Sequence, residues 1–132
     1  MTTVVDGNNV MGSVPDGWWR DRPAAVRRLL GRLQRYAAHG GHDVVLVLDV
    51  PQADLPAGTH DGVEVLYPRR KGRNAADDRI LELLDDEVGD RDGDGGVEVV
   101  TSDRGLAAGV ADRGVTVVGA RTFLSRLDDA GC

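Results

Sequence analysis

Val44-Val45-Leu46-Val47-Leu48-Asp49 is the stretch on which the fold turns. A strand with one face in water alternates apolar and polar residues. This one is apolar without a break until it ends on an acid, which marks a strand covered on both faces. Shorter apolar runs at 3–5, 63–67, 97–100 and 115–118 read as four companions.

Helix-period segments fill the gaps between these runs. Pro23 opens the first, with Val26, Leu29, Leu30, Leu33 and Ala37 on one face and Gly40-Gly41 as its stop. A second is expected over about 75–87 with Asn74 as N-cap, a third over about 104–113 before Gly114, and a fourth over about 121–128. Strands alternating with helices predict an α/β fold, a three-layer α/β/α sandwich around a central parallel sheet. There is no internal repeat and no linker, so residues 1–132 are expected to form a single domain. Two long connections stand out: 11–22, which carries Trp18 and Trp19, and the glycine-rich acidic stretch 88–96.

Composition narrows the function classes. The chain is 41% hydrophobic but only 4% aromatic, so aliphatic side chains must fill its core. With 22 acidic and 16 basic residues its formal net charge is -6, and binding of nucleic acid must rest on local rather than total charge. The one cysteine, Cys132, excludes an internal disulfide and a cysteine-based zinc site. No membrane span and no signal peptide are visible, and a cytoplasmic location is expected.

Four aspartates share one kind of address. Asp6, Asp49 and Asp103 follow the first, second and fourth strands, and Asp77 sits in the first turn of the helix after the third. In a parallel sheet these positions fall along one edge, where open α/β folds place their sites. Adjacent strands lie about 4.8 Å apart, so acids on three of them can converge. Carboxylates gathered this way raise each other's pKa or need a cation. Hard oxygen ligands without His or Cys suit Mg²⁺ or Mn²⁺, ions that activate water and neutralise phosphate charge in phosphodiester cleavage. At about 100° per residue, Asp77 falls with Ala76, Ile80 and Leu84 on the apolar side of its helix, while Asp78 falls with Glu82 and Asp85 in solvent. Asp77 is therefore preferred, with Asp78 as second choice. Each acid also has a plainer reading: Asp6 and Asp49 as turn formers, Asp77 as a partner of the helix dipole, Asp103 as an N-cap. Their shared edge weighs for a joint site.

With these residues placed, the chain resembles the NYN branch of the PIN-like nuclease superfamily. The likeness is carried by Val4-Val5-Asp6-Gly7-Asn8-Asn9-Val10, Val47-Leu48-Asp49, Ala76-Asp77-Asp78-Arg79-Ile80 and Val100-Thr101-Ser102-Asp103. The resemblance implies strand order 3-2-1-4-5 and a divalent metal held by Asp6, Asp77 and Asp103, with Asp49 as a further acidic contributor. It also implies Asn9 orienting substrate or a metal-bound water, and RNA as substrate, with many members being endonucleases, and products carrying 5′-phosphate and 3′-hydroxyl ends. Thr101 and Ser102 are expected to orient groups beside the acids.

Other features are weighed against that site. Arg69-Arg70-Lys71-Gly72-Arg73 is the one dense basic run; beside the acids it is expected to grip RNA phosphates, although most charge runs are merely solvated. Asp90-Arg91-Asp92-Gly93-Asp94-Gly95 matches the opening of an EF-hand loop, but its twelfth position is Thr101 and a strand follows, so a plain acidic turn is expected. Trp18 and Trp19 are expected to pack at the core edge rather than to stack on bases. His39, His42 and His60 have no metal-ligand spacing. The competing reading is a non-catalytic RNA-binding module of the same fold acting through partner proteins; a homodimer is also open. A phospho-receiver would need an acceptor Asp after the third strand and a Lys after the fifth, where the chain has Pro68-Arg69 and Gly119-Ala120-Arg121.

Overall fold

The structure is a computed structural model and describes residues 1–40, 42–88 and 96–132. In chain order its elements are β1 (Thr2–Asp6), α1 (Gly7–Gly12), a 3₁₀ turn (Trp18–Arg20), α2 (Arg22–Ala38), β2 (Asp43–Val47), β3 (Gly58–His60), β4 (Val63–Leu66), α3 (Ala75–Leu83), a π turn (Leu84–Val88), β5 (Val97–Val100), α4 (Arg104–Asp112), β6 (Thr116–Val118) and α5 (Ala120–Asp129). The sheet runs β3-β4-β2-β1-β5-β6. All pairs are parallel except β3 with β4. Without β3, this is the expected order 3-2-1-4-5.

The unbroken apolar run explains the layering. Alternate residues of a strand face opposite sides. Val44, Leu46 and Leu48 enter one core with Leu29, Leu33, Phe123 and Leu127 of α2 and α5. Val45 and Val47 enter the other with Ile80, Leu83, Leu106 and Val110 of α3 and α4. Val5 and Val100 follow the first parity, Val4 and Val99 the second. A polar residue at any of these strand positions would sit in one core or the other.

The differences from expectation have local causes. α1 is too short to show a helical period, so the stretch after Asp6 reads as loop. β3 is a three-residue edge strand closed on β4 through Asp61-Gly62, both at positive φ (47° and 88°). That is the Asp-Gly hairpin turn, which the sequence carries at 61–62. The helix from Ala75 is α-helical only to Leu83 and passes into the π turn. Asn74 makes no side-chain cap and sits at φ 60°; the N-cap of α2 is Asp21, whose carboxylate accepts from the Ala24 N–H at 3.1 Å. Gly41 and most of the acidic stretch, residues 89–95 with the EF-hand-like motif, lie outside the described residues. Among the described residues no helix is long and apolar enough to cross a membrane.

Gly7 holds β1 and α1 against β2. A Cβ there would meet Leu48 Cδ2 at 2.7 Å, Leu46 Cδ1 at 2.9 Å and the Val47 carbonyl at 3.0 Å. Both leucines are fully buried and the carbonyl is sheet backbone, so none of the three can retreat freely. Gly7→Ala is expected to destabilise the fold by about 1–3 kcal/mol, the cost of overpacking a filled core. Urea denaturation midpoints of the two proteins measure it, and an unchanged midpoint would contradict the tight contact.

Candidate active site

The carboxyl ends of β1, β2, β4 and β5 open into one polar cleft of about 380 Å³, lined by Asp6, Asp49, Asp77, Asp103, Asn8, Asn9, Arg73 and Asn74 among others. The turn Asp6-Gly7-Asn8-Asn9 builds it. Asp6 is the last residue of β1 and is buried. Asn8 reaches across to β2, its Oδ1 accepting the Asp49 N–H at 3.1 Å. Asn9 reaches the other way, its Oδ1 accepting the Ser102 N–H at 2.7 Å. Two adjacent amides thus tie the central strand to the connection after each of its neighbours.

Thr101 orients the acids. Its hydroxyl donates to Asp6 Oδ2 at 2.9 Å and accepts the Asp103 N–H at 3.1 Å. A hydroxyl has one proton, and this one is committed to Asp6. Asp103 caps α4, Oδ1 accepting the Leu106 N–H at 2.9 Å. A carboxylate has two oxygens, so the cap role and a place in the cleft are compatible. Ser102 Oγ accepts the Ala120 N–H at 2.9 Å, which makes Ser102 a link to α5.

Burial, the largest cause, together with the charges of Asp77 and Asp103, holds the Asp6 carboxyl up at about 6 against the opposing hydrogen bond from Thr101. Asp77 is also raised, first by burial and then by Asp103 and Asp78. Asp6 therefore feels the charges of Asp77 and Asp103, and Asp77 that of Asp103. Among the described residues, however, no group of three His, Cys, Asp or Glu side chains is placed to hold a metal ion by itself.

The remaining expected site residues divide. Asp49 lies at the cleft margin, its oxygens 3.1 and 3.3 Å from Arg22 Nη2. Asp78 faces outward and pairs with Arg70. Arg70 also donates to the carbonyls of Lys71 and Arg73, so it organises its own loop. Arg69 lies 3.6 Å from Glu82. From the basic run, Arg73 and Gly72 line the cleft. Asn8, Arg22 and Asn74 join the cleft or its margin beyond the expected site residues, Asn74 having been expected only as a helix N-cap. Asn8 stands inside the first motif and could have been found there; the partner of Asp49 lies 27 positions away and carries no local signal.

A family model of the YacP-like NYN domain matches residues 3–131. Among solved structures, the chain is similar to Rae1 (YacP) from Bacillus subtilis, with a TM-score of 0.76 at 23% identity over 98% of this chain and 74% of that one. A single-substitution variant of the same protein matches with the same score and identity, over 97% and 75%. At this identity the likeness carries the fold. No curated protein matches.

The raised Asp6 has a stability consequence. Between about pH 4 and pH 6 the folded chain holds a proton on Asp6 that the unfolded chain has released, so stability falls as pH rises through that window and levels above it. A shift of this size corresponds to about 3 kcal/mol at neutral pH. Asp6→Asn keeps an acceptor for Thr101 and removes the charge. In metal-free buffer at pH 7 the variant is expected to be more stable than the parent by up to about that amount, with the gap closing towards pH 4. Denaturation curves at both pH values decide; a less stable variant at pH 7 would contradict the assignment.

Proposed function

This chain belongs to the YacP-like NYN domain family, a PIN-like nuclease type, and on that footing we propose that it is a divalent-metal-dependent ribonuclease cutting within RNA strands. The observation that carries the reading is the meeting of Asp6, Asp77 and Asp103, from three separate elements, in one cleft where neighbouring carboxylates raise the cost of charging Asp6 and Asp77. Such an arrangement is stabilised when a cation shares the site.

The donor set fits a hard ion. It is all oxygen, which suits Mg²⁺ or Mn²⁺, and Mg²⁺ keeps several waters while binding through one or two carboxylates and substrate phosphates. A complete protein cage is not needed. Asp6, Asp77 and Asp103 would hold the ion. When bound, it supplies a Lewis acid and an activated water for phosphodiester hydrolysis. The chain's own residues position the rest. Thr101 holds Asp6 in one rotamer, and Asn9 fixes the separation of the β1 and β5 connections. Arg73 on the cleft wall, with Lys71 beside it, supplies positive charge for the RNA backbone, while Arg69 and Arg70 are engaged by Glu82 and Asp78. Asp49, neutralised by Arg22, borders the path of the strand.

A second reading, an RNA-binding module without turnover, draws on the lack of a three-ligand group among the described residues. One assay separates the two. Single-stranded RNA incubated with the protein and Mn²⁺ is expected to be cut, and excess chelator is expected to stop it. Asp6→Asn and Asp77→Asn are each expected to slow cleavage by roughly 100-fold or more, the scale on which single electrostatic groups act in active sites. RNA that stays intact with Mn²⁺ while still binding would favour the second reading; cutting that survives chelator would defeat the metal mechanism.

A further inference from the structure

The 3₁₀ turn Trp18–Arg20 is unused by the mechanism proposed above. Topology fixes where it lies. α2 carries the chain back to the start of β2, so its N-terminus, and the turn just before it, stand at the same sheet edge as the acids. A chain of contacts then joins the turn to the cleft. Asp49 on the cleft margin pairs with Arg22 at 3.1 Å. The Arg22 guanidinium lies 5.7 Å from the Trp18 ring centroid. Trp18 is half-buried against the core and stands edge-on to Trp19, with centroids 6.2 Å apart. Trp19 is 61% exposed, and the Arg20 guanidinium lies 5.8 Å from its ring.

The expectation that both tryptophans pack therefore holds for Trp18 and fails for Trp19. Among the described residues the exposed large hydrophobics are Met1, Trp19 and Val50. Val50 follows Asp49 directly, and Trp19 is linked to the Arg22–Asp49 pair through Trp18. An open indole with a guanidinium, that of Arg20, at its ring suits a face that stacks on a base. Bases of a duplex are stacked on each other and cannot present a face to it.

We propose that Trp19, braced by Trp18 and accompanied by Arg20, is a stacking platform for a base of single-stranded RNA whose backbone passes the Arg22–Asp49 pair into the acidic cleft. This rests on the nucleic-acid reading of that cleft. It makes the chain selective for unpaired strands through one aromatic residue outside the catalytic acids.

The test is fluorescence anisotropy with labelled RNA in chelator, where nothing is cut. Trp19→Ala is expected to bind a single strand about tenfold more weakly, and Trp19→Phe to recover most of the loss. The loss is expected to vanish on a strand of the same length lacking its bases, and on a duplex. With Mn²⁺, Trp19→Ala is expected to raise KM and leave kcat unchanged. Equal affinity of parent and Trp19→Ala for the single strand would overturn the platform alone, as would an equal deficit on the baseless strand. Sedimentation in which Trp19→Ala dissociates a dimer while RNA affinity stays constant would assign the ring to a protein contact and also overturn it. Failure of the parent to bind RNA in chelator and to cut it in Mn²⁺ would remove the cleft reading, and the platform with it.

Discussion

The β1–α1 turn is the constraint on which the rest of the site depends. In four residues it supplies a buried carboxylate, a backbone without room for a side chain, and two amides that reach in opposite directions. Gly7 lets α1 start against Leu46 and Leu48, and only from that close approach can Asn8 reach the backbone of Asp49. Asn9 makes the matching bond to Ser102. One turn therefore ties the connections after β2 and β5 to the end of β1, and Thr101 adds to it by joining Asp6 to the start of α4.

The energetic character of the cleft follows from the same geometry. The strand end that makes Asp6 central also buries it, and burial is the largest reason its carboxyl is held up near 6. The nearby carboxylates add to the cost. A fold organised only for stability would place an apolar or neutral residue here. Tension of this kind at a strand end, in a cleft open to solvent, is the usual physical signature of a working site.

Charge elsewhere is handled differently. The net charge of -6 conceals a surface on which arginines are paired locally. Arg27 meets Asp54, Arg28 meets Asp16, Arg32 meets Asp128 and Arg113 meets Asp85. Exposed pairs such as Arg27–Asp54 contribute little stability, but they keep positive charge from gathering on the outer faces. At the carboxyl edge acids cluster, with Arg73 on the cleft wall and Arg22 paired to Asp49 at its margin. An acidic chain can in this way present a local path for a polyanion.

Periodicity and strand-end position were legible in the sequence because they are local properties of the backbone. The unbroken run 44–48 fixed a two-sided sheet, and the placement of Asp6, Asp49, Asp77 and Asp103 after successive strands put them at one edge. The helical wheel distinguished the half-buried Asp77 from the exposed Asp78. The edge strand Gly58–His60 is too short to carry a periodicity of its own, and only its Asp-Gly turn marks it in the sequence. The partners were not legible. Nothing near Asp49 announces Arg22, nothing in the basic run shows that Arg69 and Arg70 are held by acids of α3, and adjacent tryptophans do not say which one faces water. Side-chain pairing across 27 or 93 positions depends on how strands and helices pack, and is decided only when the sheet closes. The sequence by itself determined the class of fold and the edge on which its acids stand; the tertiary structure decided which of them share a cleft, which are neutralised, and which aromatic ring is left open, because those outcomes depend on distances through space that no local pattern encodes.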